Sequence, residues 1–448
     1  MNRREFIQRT SLAASALALN PSFAIGKKPR FIIIGAGFSG LAAAYRLYQK
    51  NSEFIILEGR NRIGGRVFSH VLDEGENLVV ELGAEWVGES HTRLRQLCDE
   101  MQLPIENNQM DSHLILANRY YKHGEWDFSE QWKKKFDQLK KGYSTLSAAE
   151  RNKLDNMDWW RFLNNNGCEG FDLMVHELND TTDFGETIRQ VSALAALNEY
   201  ALSSEKNEMD YKIKGGNGML AKKIVEKIGM DKVRLNCTVT KIIQSHAGAE
   251  VFCSNGESFK ADKIICTMPT FALGKVAWQP ALPTEQVDAM HALQYARINK
   301  NPLLFSTRFW EAESFDLLTD MPAHYFYHAT KNQPSKKGAL ISYTIGDKAD
   351  VMGNQSDEER LSLVQLSLQR GFGSIASNFE KQANYNWGSD IFTRGAYAVY
   401  KPGQWSTVQK HLRKHFMHTH FAGEHLADWQ GFMEGAINTG EAAADAVL

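Results

Sequence analysis

Arg30-Phe31-Ile32-Ile33-Ile34-Gly35-Ala36-Gly37-Phe38-Ser39-Gly40 decides the fold, together with the run Phe54-Ile55-Ile56-Leu57-Glu58 that follows it. Residues 30–34 are an unbroken apolar run, as expected of a parallel strand buried on both faces. Leu41 to Gln49 is rich in Ala and Leu and predicts a helix. Residues 54–57 repeat the strand pattern, which makes a β-α-β unit of about 30 residues. A G-x-G-x-x-G pattern alone is a weak signal. Here it leaves a buried strand, opens a helix, and has an acid 18 residues past its last glycine. Gly35 permits the tight turn, Gly37 lets backbone approach a pyrophosphate, and Gly40 permits close helix–strand packing. Phe38 and Ser39 begin the helix, whose unpaired N–H groups and dipole favour phosphate. Glu58 is placed to accept hydrogen bonds from a ribose.

Working outward, a chain of 448 residues is too long for one core and implies two or three domains. A formal net charge of −2 gives no electrostatic reason to expect nucleic acid or an anionic membrane as partner. The five cysteines, Cys98, Cys168, Cys237, Cys253 and Cys266, show no metal spacing. They read as buried apolar thiols, and the odd count argues against a disulfide framework. At the N-terminus, Arg3-Arg4-Glu5-Phe6-Ile7, a mild apolar run from Leu12 to Leu19 and Ser22-Phe23-Ala24 have the layout of a cleaved export signal. The paired arginines point to the twin-arginine route, which carries folded proteins. Residues 1–24 are therefore set apart from the fold. The mature protein is expected to be periplasmic or secreted, meeting the export machinery and the membrane only in transit.

Residues 96–212 are polar and mostly helical in period. Strand patterns return at Val233–Leu235, Val239–Ile243, Ala249–Phe252 and Lys263–Cys266, with Asn255-Gly256 reading as a hairpin turn. Residues 295–387 mix strands, at Pro302–Thr307 and Ala339–Ile345, with a helix near 357–371. The chain ends as strand, loop and Ala-rich helix. Strand-rich and helix-rich stretches interleave, so the domains are discontinuous.

Just past the ribose acid, Arg60-Asn61-Arg62-Ile63-Gly64-Gly65-Arg66 supplies a second glycine pair and an arginine. Gly64 and Gly65 offer backbone donors to a pyrophosphate, and Arg66 a charge partner. This R-x-G-G-R pattern resembles the flavin-dependent amine oxidase family, which includes monoamine, polyamine and L-amino-acid oxidases. Further segments resemble the family in order: Val80-Glu81-Leu82-Gly83-Ala84-Glu85-Trp86, Lys214-Gly215-Gly216-Asn217-Gly218 and Ala261 to Pro269. Phe421-Ala422-Gly423-Glu424 and Trp429 to Ala436 follow at the C-terminus. The resemblance runs over nearly the whole chain after residue 27. It implies an α/β fold: a discontinuous Rossmann-like FAD-binding domain (27–95, 213–294 and 388–448) plus an α+β substrate-binding domain (96–212 and 295–387).

The resemblance also assigns site residues. Cofactor contacts fall on Gly35, Gly37, Phe38, Ser39, Gly40, Glu58, Gly59, Arg60, Gly65, Arg66, Gly83, Ala84, Glu85, Trp86, Val239, Gly423, Glu424 and Met433. Gly431 to Ala436 opens the last helix, and a helix N-terminus beside the flavin's pyrimidine ring stabilises the negative charge that builds on reduction. Lys300 stands nine residues before Phe309-Trp310, the spacing at which the family's lysine holds a water near the flavin's reactive nitrogen. Tyr397 matches the first of two aromatic walls that guide the amine, and Phe432 stands where monoamine oxidases carry a second tyrosine. Aromatic walls exclude water and hold a cation or favour the neutral amine. Ala396 occupies the place of the cysteine that tethers FAD in animal monoamine oxidases, so non-covalent FAD is expected. Trp86 occupies the place where L-amino-acid oxidases put a carboxylate-clamping arginine, which favours a simple amine, although Arg394 is an arginine that could serve instead. His411, His415, His418 and His420 cluster without an evident carboxylate or thiolate partner, and no metal is expected.

The implied activity is oxidation of a primary monoamine to an imine and then an aldehyde, with ammonia released and oxygen reduced to hydrogen peroxide. An L-amino-acid or polyamine oxidase on the same fold, and a flavin carrier without catalysis, are the alternatives. The oligomeric state stays open, a dimer included.

Overall fold

The computed structural model describes residues 30–448 apart from Lys206, Glu311 and Trp429, so the export signal read at residues 1–24 lies outside the described residues. The deciding stretch forms the middle of a five-stranded sheet. The strand Arg30–Ile34 pairs in parallel with Glu53–Leu57 on one side and Lys263–Cys266 on the other. Val233–Arg234 and Thr419–Phe421 extend it in parallel at the two edges. The apolar run is unbroken because both faces are covered. Phe31 and Ile33 pack into a core with the helix Phe38–Gln49, while Ile32 and Ile34 pack into another with Ile242 and Val251. The C-terminal helix Met433–Val447 crosses Phe38–Gln49 so closely that a Cβ at Gly440 would lie 2.0 Å from the Ser39 carbonyl oxygen.

Val239–Ser245, Gly248–Cys253 and Ser258–Ala261 form an antiparallel meander, with Ala277–Gln279 added in parallel. The turn read at Asn255-Gly256 joins two of these strands, with Gly256 at φ 88°. Here one expectation is corrected: Cys237 and Cys253 are joined in a disulfide, their Cα atoms 5.5 Å apart. Cys237 leads into one strand and Cys253 ends its antiparallel partner, where it faces Val239. That register brings the two Cα atoms within bridging distance. Cys98, Cys168 and Cys266 are buried free thiols. Cys253→Ser is expected to lower stability by about 2–4 kcal/mol under oxidising conditions. Urea unfolding with and without reductant measures it, and identical curves would contradict the bridge.

A larger, eight-stranded sheet is built around Ile298–Phe305, Gly338–Ile345, Tyr325–His328 and Phe315–Thr319. Every residue of Ile298–Phe305 is buried. Ile298 and Leu304 face a core shared with Trp159, Val175 and Phe184 of the preceding helices. Leu303 and Phe305 face the opposite core with Val364 and Leu368 of the helix Asp357–Phe372. This strand begins four residues earlier than its sequence suggests, because Asn299, Lys300 and Asn301 are polar yet lie inside it at 0–3% exposure. The stretch 96–212 is helical over most of its length, as its period predicts, but it also adds Asp111–Leu116 to the large sheet beside Phe315–Thr319. Among the described residues no helix is long and apolar enough to cross a membrane.

Candidate active site

A cavity of about 520 Å³ runs from the glycine-rich turn to the face of the large sheet. The residues assigned above to cofactor or substrate line it except Gly40 and Arg394, whose guanidinium lies over the Phe271 ring instead. Gly40 acts behind the wall: a Cβ there would lie 1.9 Å from the Gly35 carbonyl oxygen, so helix and turn touch only through glycine.

The first end of the cavity is made by two glycine segments in contact. A Cβ on Gly65 would approach the Gly37 Cα to 3.0 Å, and Gly65 has φ 60°. Gly37 caps the helix Phe38–Gln49 with no side chain over its N–H groups. The Ser39 hydroxyl is buried there without a partner among the described residues. Open helix N–H groups and an orphan hydroxyl donor suit phosphate oxygens. Gly64 does not act as the sequence suggested, because its N–H donates to the Ala36 carbonyl at 2.8 Å and is used in bracing the two segments. Glu58 is buried and accepts from the Ala36 and Arg60 amides at 2.7 and 2.8 Å. Burial raises its pKa against those two bonds, and each carboxylate oxygen keeps a lone pair for a ribose hydroxyl.

Arg66 is not a free charge for a pyrophosphate: its guanidinium pairs with Glu424 at 2.5 Å. Glu424 in turn accepts from the Ala398 and Gly431 amides at 3.3 and 3.0 Å. This pair ties three distant segments together under the opening of the C-terminal helix, where Gly431, Phe432 and Met433 border the cavity.

Lys300 reaches the middle of the cavity from the buried strand. Its ammonium donates to the Gly83 carbonyl at 2.8 Å, the Glu81 carbonyl at 3.2 Å and the Tyr327 hydroxyl at 2.9 Å. Three acceptors match its three N–H donors. Glu85 lies 3.6 Å away, accepts from the Tyr327 hydroxyl at 3.0 Å, and pairs with Lys212 at 2.8 Å. Trp86, Tyr327 and Tyr343 place their rings 5.5–5.7 Å from the Lys300 nitrogen. Burial lowers the Lys300 pKa, opposed by the negative charges of Glu85 and Glu81. A lysine so placed is able to exchange protons where a solvated one stays charged.

Tyr397 donates to the carbonyls of Asp183 and Thr182. Its ring lies against Gly431, where a Cβ would come within 3.2 Å of it. The Phe432 ring is edge-on to His91, 5.3 Å between centroids. Sequence reading missed the far wall, made of Asp183, Glu199, Asp316, Tyr325 and Tyr343. Asp183 and Glu199 sit in a helical stretch with no motif. Asp316 interrupts the apolar run Phe315–Leu318, which was the one available signal. Among the described residues no group of three His, Cys, Asp or Glu is placed to hold a metal.

The profile of the flavin containing amine oxidoreductases matches residues 38–448. The chain belongs to this family. It is an oxidoreductase acting on amines, and the family carries a flavin. Among its relatives is the probable flavin-containing monoamine oxidase A of Dictyostelium discoideum, 23% identical over 91% of this chain and 95% of that protein. The L-amino acid dehydrogenase of a Synechocystis strain is 26% identical, covering 93% and 94%. The flavin-containing amine oxidase A of Sus scrofa is 25% identical, covering 93% and 84%. Putrescine oxidase bound to putrescine has the same fold, with a TM-score of 0.83, 24% identity and coverage of 94% and 99%. Cyclohexylamine oxidase from Brevibacterium oxydans aligns with a TM-score of 0.83 at 22% identity, with the same coverage.

Proposed function

We propose that the protein is an FAD-dependent oxidase of primary amines, giving an imine that hydrolyses to an aldehyde and ammonia, with oxygen reduced to hydrogen peroxide. The observation that carries this reading is Lys300, buried beside the cavity within an aromatic cage. The glycine contact at Gly37 and Gly65, the orphan Ser39 hydroxyl and the buried Glu58 fit a dinucleotide. When bound, the flavin supplies a two-electron acceptor for the α-carbon of the amine and passes the electrons to oxygen. Tyr397 and Phe432 exclude water and orient the amine, and Lys300 holds or moves a proton at its amine nitrogen. The helix opening at Met433 contributes a positive dipole end to the same wall.

Ala396 offers no nucleophile, so FAD is held without a covalent bond. Acid precipitation should release all of the yellow colour into solution, and colour kept in the pellet would contradict this. Trp86 stands in place of a carboxylate clamp, and carboxylates line the far wall, which disfavours amino-acid substrates. A peroxide assay over amines and amino acids tests the point: preference for a carboxylate-bearing substrate would overturn it. Tyr397→Ala should raise KM for the amine about tenfold or more through lost packing and water exclusion, with steady-state kinetics as the check. We also propose export by the twin-arginine route. Changing Arg3 and Arg4 together to lysine should leave the protein in the cytoplasm, and unchanged export would refute it.

A further inference from the structure

Beyond Tyr397 the cavity ends against the helices Gly170–Phe184 and Ala193–Leu202 and the loop after them. Hydrogen-bond acceptors outnumber donors at this end. Glu199 lines the cavity at 4% exposure, and its carboxylate has no hydrogen bond or ion pair among the described residues. Asp183 receives Tyr200, Asn207 and Asn179 at 2.7, 2.9 and 3.1 Å, all on Oδ2, while Oδ1 receives none among the described residues. The Oδ1 of Asn207 is buried without a partner among the described residues.

The charged surroundings are also mostly acidic. Asp180 stands one turn before Asp183 and pairs with His176 at 2.9 Å. Glu208 faces the same end and accepts from the Ser90 hydroxyl at 2.7 Å and the Ser204 amide at 2.5 Å, with His91 3.4 Å away. The described lysines and arginines of the cavity wall, Arg60, Arg66, Lys275 and Lys300, belong to the cofactor end and the middle. A buried carboxylate without a cation takes up a proton instead of staying charged. Accordingly, burial and then the neighbouring carboxylates push Asp183 up to about 7 and Glu199 well above its ordinary range. An ammonium group brings three donors, a positive charge and no acceptor, which is the complement of this wall. A carboxylate or a hydrocarbon tail is not.

We propose that Glu199, Asp183 and Asn207 form a second subsite that takes the distal ammonium of a diamine or longer polyamine while its other amine is oxidised. This rests on the amine-oxidase reading and narrows it, departing from the monoamine expected from the sequence. The two ends of the substrate are then recognised by opposite means: aromatic walls at the reacting amine, and buried acceptors at the far one.

The FAD-loaded enzyme tests it with n-alkylamines and α,ω-diaminoalkanes of matching chain length. At the best length the diamine should exceed the monoamine in kcat/KM by about tenfold or more, the size of a charge-assisted hydrogen bond. Glu199→Gln should collapse that ratio by about the same factor. Asp183→Asn is the second variant should Glu199→Gln fail to fold, as judged by melting temperature and flavin content. The wild-type ratio should also rise with pH through about 7, because Asp183 must ionise to hold a cation. A ratio near one, a ratio untouched by the variant, or one flat or falling with pH would overturn the subsite. Turnover of no amine at all would sink the amine-oxidase reading instead.

Discussion

Lys300→Met lowers amine turnover by about a hundredfold or more, the usual contribution of a positioned proton-transfer group. The side chain is nearly isosteric, so the strand Ile298–Phe305 keeps its packing on both faces. What is lost is the one nitrogen that the carbonyls of Glu81 and Gly83 and the Tyr327 hydroxyl hold at the cavity. Flavin absorbance and melting temperature should confirm that the variant still folds and loads. Turnover within a few-fold of the parent would remove Lys300 from the chemistry. Glu85→Gln sharpens the assignment through its sign. Glu85 favours the charged form of Lys300, against burial, which favours the neutral one. Removing the carboxylate charge should therefore move the ionisation controlled by Lys300 to lower pH. A pH profile that is unchanged, or displaced upward, would mean that another group controls it.

Gly40→Ala is the second large effect, expected in stability and cofactor content together. The added Cβ would meet the Gly35 carbonyl oxygen at 1.9 Å and the Gly35 carbonyl carbon at 3.0 Å. Both are backbone atoms of the turn that must receive the phosphates, so nothing flexible can yield. Overpacking of this kind costs about 1–3 kcal/mol or more, and the helix can escape only by leaving the turn. Gly59→Ala is the internal comparison, because its Cβ would meet the Phe392 ring at 2.7 Å and a side chain can swing away. Thermal melts and flavin-to-protein ratios should show Gly40→Ala losing both stability and flavin, with Gly59→Ala much nearer the parent. Equal behaviour of the two would show that the helix–turn contact is not tight.

The parts of the molecule legible in its sequence are those where one local pattern has one structural solution. Residues 30–58 are legible because a strand buried on both faces, a glycine turn and an Ala-rich helix leave no other arrangement. The meander at 239–261 and the helix at 357–372 are legible through period and turn residues. Elsewhere tertiary context overrides the pattern. Asn299, Lys300 and Asn301 look like loop, yet lie in a buried strand from which Lys300 alone of the three reaches a cavity built by segments far away in sequence. Cys237 and Cys253 carry no pairing signal until the hairpin register sets them side by side. Arg66 and Glu424 look like separate ligand groups, yet they are each other's partners across 358 residues. Glu199 is one more acid on a helix until its helix closes the cavity.

The central claim is that this cavity holds flavin and passes electrons to it from an amine. Purified protein loaded with FAD and mixed anaerobically with a primary amine or diamine tests it most directly, with the absorbance near 450 nm followed in time. The account predicts a yellow protein that bleaches on adding the amine and recovers its colour when oxygen is admitted. A protein that takes up no flavin, or a loaded protein whose colour no amine changes, would contradict it.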